Sequence, residues 1–214
     1  RGITFRGKDG VFCSGVDLKE IKSIIDNNTI KEDAIDLSVK LGKFFYRVNT
    51  LPQVTIMIIE GAAMAGGLGL ASTGDIVITY SDAKFSLTET MIGLTPAQIS
   101  PYIISRVGHT IGKRLMLTAA RFSGLEAFKI GIADFLVTKS AELEEQENKI
   151  KSQILKCAPG AIAETKRLIE ATQSKPITDF INLASENFSS QLDTEGKEGI
   201  LSFLEKRKPN WNNE

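Results

Sequence analysis

Apolar positions along this chain follow two rhythms. Val54-Thr-Ile-Met-Ile-Ile59 and Ile76-Val-Ile-Thr-Tyr80 are short and almost continuously apolar. That is the pattern of strands covered on both faces, as in parallel sheets packed against helices. Ile3-Thr-Phe5 and Asp134–Val137 are further strand candidates. Elsewhere the spacing is helical. Leu41, Phe44, Phe45 and Val48 stand at i, i+3, i+4 and i+7 and predict one buried helix face. Asp17-Leu-Lys-Glu20 reads as a capping box opening a helix that runs to about Asp26. From Ala141 onward the pattern is helical throughout. Ala161, Thr165, Leu168 and Ile169 make one face, and Ile177, Phe180, Ile181, Ala184 and Phe188 make a cleaner one. Pro159 and Pro176 stand where helices are expected to start, and Pro209 is expected to end a last short amphipathic helix. The prediction is an α/β core over 1–140 and a helical region over 141–214, with no internal repeat and no low-complexity linker.

Between the two apolar runs lies Gly61-Ala-Ala-Met-Ala-Gly-Gly-Leu-Gly-Leu70. Strand, small-residue turn, short apolar helix and strand is a compact way to aim backbone N–H groups at a ligand. Glycine lets a carbonyl group come close to the main chain, and the start of a helix carries unpaired donors. A second such corner is Phe12-Cys-Ser-Gly-Val-Asp-Leu-Lys-Glu20, where Gly15 allows a sharp turn just ahead of the Asp17 cap and leaves the Val16 N–H to face a ligand. Two donors from separate loops, converging on one oxygen, can hold an enolate or a tetrahedral oxyanion. Taken by their glycines alone, both corners read first as tight turns.

A third segment, Phe85-Ser-Leu-Thr-Glu-Thr-Met-Ile-Gly-Leu-Thr-Pro96, sets Glu89 among apolar and hydroxyl residues. Burial there raises a carboxyl pKa toward the range of a general acid or base, whereas a solvated loop leaves it ordinary. His109, the only histidine, has no acid or nucleophile at a telling distance, which argues against a serine–histidine triad and histidine-rich metal sites. It is expected to serve as a helix cap or to stand on the surface. Cys13 is expected to pack rather than react, and Asp75 to brace the glycine-rich corner.

Charge narrows the classes. Lys+Arg and Asp+Glu balance at 26 each, so no general basic field draws nucleic acid. Cys13 and Cys157 are far apart and in no metal-ligand spacing, which points to a reducing compartment rather than a disulfide framework. No apolar run reaches the roughly 18 residues of a membrane span. The chain opens on Arg1, already in a strand pattern, so a segment is expected to precede it.

Three blocks in order, Phe12–Lys19, Gly61–Ala71 with Gly74-Asp-Ile76, and Phe85–Pro96, together with the tail Glu195–Pro209, resemble the crotonase superfamily of enoyl-CoA hydratases and isomerases. The resemblance covers essentially the whole chain. It implies a ββα spiral with a helical C-terminal trimerisation region, as a homotrimer or dimer of trimers. The oxyanion donors fall on the Val16 and Gly66 N–H groups, and the acid/base on Glu89. Asp17, Leu18 and Lys19 are expected to line the coenzyme A channel, and Phe203 and Lys206 to reach a neighbouring subunit's substrate. Met64, Met91, Gln98 and Ile99 would shape the acyl pocket. Neither a metal nor a cofactor beyond the substrate's own coenzyme A is implied. Neither nucleic acid nor membrane is an expected partner. The family's usual start, a hairpin, a helix and part of the adenine wall, would lie ahead of Arg1.

Hydratases of this family carry two glutamates. The second aligns with Glu89 and the first with Gly69, so one carboxylate is absent. With Ile99-Ser-Pro-Tyr102, this departure resembles the subset acting on branched or carboxylated enoyl-CoA, such as methylglutaconyl-CoA. The expected activity is hydration of an α,β-unsaturated acyl-CoA. The alternatives are a double-bond isomerase working with Glu89 alone and a non-catalytic acyl-CoA binder. The expected compartment is the cytoplasm, or the mitochondrial matrix or peroxisome of a eukaryote.

Overall fold

The continuous apolar runs become strands, and their order shows how the chain winds. A computed structural model describes residues 1–26 and 29–212. Strand β1 (Gly2–Arg6) is followed by helices α1 (Leu18–Ile25) and α2 (Ile30–Asn49). Next come β2 (Val54–Ile59), β3 (Ala62–Met64), α3 (Gly66–Ser72), β4 (Ile76–Tyr80) and β5 (Lys84–Ser86). A 3-10 turn at Glu89–Ile92 leads to α4 (Ser100–Thr118), β6 (Phe122–Ser123), α5 (Gly124–Lys129) and β7 (Phe135–Val137). Helices α6 (Ser140–Leu155), α7 (Pro159–Ser174), α8 (Ile177–Leu192) and α9 (Glu195–Leu204) complete the chain, with a last 3-10 turn at Asn210–Asn212.

One sheet has the order β1-β2-β4-β7, the other β3-β5-β6. From β2 to β5 successive strands fall alternately in the two sheets, as in a spiral of ββα turns. β2 runs parallel to β4 with Ile56 opposite Ile76, and β4 runs parallel to β7 with Ile78 opposite Phe135. In the second sheet β3 pairs parallel with β5, Ala63 opposite Phe85. β5 pairs antiparallel with β6, where the Phe85 and Phe122 rings stack at 5.4 Å. Met57, Ile59, Ala63, Leu68, Val77 and Phe85 are fully buried, which explains why β2 and β4 show no polar alternation.

Asp75 braces the strands that flank the glycine-rich corner. Its carboxylate accepts from the Thr55 N–H at 2.7 Å and the Thr55 hydroxyl at 2.9 Å, locking the start of β2 beside the start of β4.

The chain divides into two compact units. One contains Thr4–Asn49 and Thr55–Gln146, and the other gathers Arg1–Ile3, Thr50–Val54 and the helices from Glu147 onward. In the second unit Lys166 Nζ donates to the Gln53 carbonyl at 3.0 Å, and Glu195 accepts from the Gly160 and Ala161 N–H groups at the start of α7.

Several expectations need correcting. Asp17 caps α1 by accepting from the Lys19 N–H at 2.8 Å, but Glu20 makes no reciprocal side-chain bond, so half of the capping box is absent. On α2, Phe45 and Val48 are buried while Phe44 is exposed, because the packed face is narrower than the apolar stripe. On α8 the predicted face is regular, yet Ile177, Ile181 and Phe188 remain exposed. Periodicity identifies a face and not what covers it. The last helix ends at Leu204, ahead of Pro209, where Lys206 turns with φ 53°.

Candidate active site

The two glycine corners come together. Phe12 and Cys13 donate to the carbonyls of Glu60 and Ala62, and Cys13 in turn accepts from the Met64 N–H at 2.9 Å. Cys13 is therefore part of the framework, paired beside Ala63 at the edge of β3. This zips the first loop onto the strand leading into α3. Gly15, at φ 99°, then turns the chain against the second corner. A methyl group built on Gly15 would lie 3.2 Å from the Ala65 Cβ and 3.6 Å from the Gly66 nitrogen. Only glycine meets both the dihedral and the spacing at this point.

Ala65 is the strained residue of the site. Its φ of 49° and ψ of −125° lie outside the regions open to L-residues. Such conformations cost about 1–3 kcal/mol and persist only where their surroundings determine them. Here they do. The Ala65 N–H donates to the Ser86 carbonyl at 2.8 Å, and the Ala65 carbonyl accepts from Leu68 and Gly69 at 3.0 and 3.1 Å. The peptide unit that follows carries the Gly66 N–H at the opening of α3. Among the described residues, neither the Val16 N–H nor the Gly66 N–H has an acceptor within the protein. Two free donors thus belong to corners in direct contact.

The bond from Ala65 to Ser86 also ties this corner to the strand that delivers Glu89. Ser86 is buried and donates to the Ala119 carbonyl at 2.9 Å, anchoring the end of β5. Three residues on, Glu89 opens the 3-10 turn. Its Oε2 is buried with no hydrogen-bond partner among the described residues. Burial raises its pKa, against a smaller lowering by a backbone hydrogen bond. A desolvated carboxyl with an unused oxygen is suited to exchanging a proton with a bound molecule. Glu89 as a whole is half-buried, with one carboxyl oxygen turned away from solvent.

The remaining residues divide. Asp17 is engaged in the α1 cap, while Leu18 and Lys19 are exposed on its first turn. Phe203 and Lys206 belong to the helical unit, and both are exposed. Met64 and Gln98 are half-buried, Ile99 is buried and Met91 is exposed. Gln98 donates to the Ser38 hydroxyl at 2.9 Å, linking the approach to α4 with α2. His109 is exposed just beyond Gly108, whose φ of 73° interrupts α4.

Two features had no signal in the sequence. One is the strain at Ala65, since alanine does not advertise a positive φ. The other is Phe45. Its Cζ lies 3.8 Å from the position of a methyl built on Gly66, and its ring faces Tyr102 at 6.3 Å, forming an aromatic wall beside the donor corner.

A family model for enoyl-CoA hydratase/isomerase matches residues 1–214. The chain belongs to this family. It is 37% identical to Pseudomonas aeruginosa AtuE, with a TM-score of 0.95 over 100% of this chain and 82% of that one. Against an enoyl-CoA hydratase/isomerase from Marinobacter aquaeolei the identity is 34% and the TM-score 0.94, over 100% and 82% of the two chains. A short-chain-enoyl-CoA hydratase of Clostridium acetobutylicum is 32% identical over 92% of this chain and 74% of its own length. The fold is accordingly the crotonase spiral, and the protein is an enzyme of the enoyl-CoA hydratase/isomerase family. No helix among the described residues is long and apolar enough to cross a membrane.

Proposed function

We propose that the enzyme adds water to an α,β-unsaturated acyl-CoA, with branched and carboxylated acyl chains among the candidate substrates. The observation that carries this reading is the buried oxygen of Glu89, without a partner among the described residues, on the turn that follows the strand hydrogen-bonded to the free-donor corner. The thioester oxygen sits between the Val16 and Gly66 N–H groups. Glu89, ionised, takes a proton from water as the water oxygen bonds to C3. The π electrons move toward the thioester, and the resulting enolate oxygen is held by the two donors. Glu89 then returns its proton to C2, which completes the addition. Donors fixed before the substrate arrives need no reorganisation as charge develops, and the strain at Ala65 is consistent with such fixing. Leu18 and Lys19 are assigned to the coenzyme A channel beside the Asp17 cap, and Phe203 and Lys206 to the substrate of a neighbouring copy in a trimer.

A second reading is favoured by one observation. The space next to Gly69, where a second acid would begin, is filled by Ile99. A single carboxylate suffices to move a double bond. Glu89 takes a proton from C2 of a 3-enoyl-CoA and delivers it to C4 of the dienolate, with no water consumed.

Incubating the enzyme with 2-enoyl- and 3-enoyl-CoA esters in ¹⁸O-labelled water and weighing the products separates the two. Label at C3 marks hydration, and a shifted double bond without label marks isomerisation. Glu89→Gln is expected to lower either turnover by about 10²–10⁴-fold while thioester binding persists. An unimpaired Glu89→Gln enzyme would refute both.

A further inference from the structure

Gly66 and Gly69 stand three residues apart on α3, and therefore on one face of the helix. Their surroundings are opposite. A methyl built on Gly66 meets nothing closer than Phe45 Cζ at 3.8 Å and Gly15 Cα at 3.9 Å. A methyl built on Gly69 overlaps Ile99 Cγ2 and lies 2.6 Å from Ile99 Cβ and 3.3 Å from Ile99 Cδ1. Ile99 is only 3% exposed and belongs to the same apolar cluster as Phe45, Leu68 and Ile103. It is also held in place from its own side. Its carbonyl accepts from the Tyr102 and Ile103 N–H groups, both at 3.1 Å, as α4 begins. Beside it, Gln98 is tied to Ser38 of α2.

The geometry points to Ile99 as a specificity-determining plug: with Gly69 it fills the notch one helical turn beyond the Gly66 donor and confines proton transfer to Glu89. This rests on the proposed reading of the Val16–Gly66–Glu89 site. The absence of a carboxylate at position 69 is then half of a paired arrangement. Glycine at 69 makes room for the isoleucine, and the isoleucine leaves no room for an acid or for a water held by one. Three residues of helix rise about 4.5 Å, the reach of a few carbon–carbon bonds. On the proposed reading the plug sets an apolar boundary at that distance along the helix from the oxyanion donor. The division between adding water and moving a double bond is assigned to this pair.

The test has a packing arm and a catalytic arm. In the packing arm, Gly69→Ala is introduced into backgrounds carrying Ile, Ala or Gly at position 99, and unfolding midpoints are measured in denaturant. The loss caused by Gly69→Ala should shrink stepwise along that series, because Cγ2 and Cδ1 go first and Cβ last. A loss that is the same in all three backgrounds overturns the plug. In the catalytic arm, Gly69→Glu alone should fold poorly, and Gly69→Glu with Ile99→Gly should recover folding. Relative to Ile99→Gly alone, the double variant should raise the ratio of hydrated to isomerised product by tenfold or more. It should also add a second ionisation to the pH–rate profile. A folded double variant with unchanged product ratio and pH profile refutes the specificity role, even where the packing coupling is found. Should the double variant fail to fold, the packing arm still decides whether the plug exists. Glu89→Gln in the wild-type background is the control for the underlying reading. Unchanged turnover there refutes the site, whereas intact Glu89 dependence with no 69–99 coupling refutes only the plug.

Discussion

The first and second turns of α3 both use glycine, for opposite reasons. At the first turn Gly66 leaves space unfilled, and its N–H has no acceptor among the described residues. At the second, Gly69 exists because a neighbour already occupies the position of its missing side chain. Gly67 between them is closed for a third reason: a methyl there would overlap the Cys13 carbonyl oxygen and lie 2.7 Å from its carbon. A run of small residues is thus not one device. Openness marks a place for a ligand, and closure marks close packing of the helix on its surroundings. Substitutions at each turn should give different kinds of damage.

Among substitutions on α3, the largest effect is expected from Gly66→Pro. Proline at the first position of a helix loses an N–H that has no helical partner anyway, and its fixed φ suits that position. The room around Gly66 accommodates the ring's first carbon. The variant should fold, with circular dichroism close to wild type, and its unfolding midpoint reports any cost of proline to the strained Ala65 before it. If Gly66 supplies an oxyanion donor, kcat should drop by about 10²–10³, which is about 3–4 kcal/mol of transition-state stabilisation. Near-normal turnover in a folded Gly66→Pro enzyme would remove the donor from this turn and erase the contrast with Gly69.

Gly69→Ala should do the reverse, damaging stability first. Adding a methyl to a well-packed core costs about 1–3 kcal/mol through shifted backbone and strained rotamers. Urea unfolding should register that loss. The Ile99 side chain is enclosed, so it cannot simply swing into solvent. Any fall in kcat should be smaller than that of Gly66→Pro, since no donor is removed. A Gly69→Ala protein as stable as wild type would show that the second turn is as open as the first.

What could be read from the sequence follows the same division between open and closed. The continuous apolar runs of β2 and β4 announced a sheet covered on both faces, because burial on both sides leaves no polar position in the strand. Gly15 and Gly66 were found because corners that offer backbone donors must carry glycine or a helix start. Glu89 was legible only as a carboxylate in an apolar segment. Its desolvation depends on how the 3-10 turn is packed, which has no local signature. Ile99 was legible as a pocket residue, but not its contact with Gly69, because that contact joins positions 30 residues apart through tertiary packing. For the same reason the apolar stripe of α8 was correctly located while its exposure was not. The strain at Ala65 left no trace, since it is imposed by bonds to Ser86, Leu68 and Gly69.

The smallest effect sharpens the comparison by asking what the open site does to stability. Burial raises the Glu89 pKa in the folded protein, so the folded state holds its proton more tightly than the unfolded chain does. Below the unfolded carboxyl value of 4.5 both states are protonated, and Glu89 imposes no penalty. As pH rises from there through the raised folded value, the unfolded chain gives up the proton first. Stability then falls, and the full penalty remains at higher pH. Glu89→Gln keeps the shape and cannot ionise, so the variant should be at least as stable as wild type at neutral pH. Its advantage should shrink as pH is lowered toward 4.5. The closed turn has no such dependence, because Gly69 and Ile99 do not titrate, and the cost of Gly69→Ala should be the same across this range. Parallel urea titrations of the two variants between acid and neutral pH measure both. A pH-independent difference for Glu89→Gln would mean that the Glu89 carboxyl is solvated after all, and that the turn it opens is not the dry half of a catalytic site.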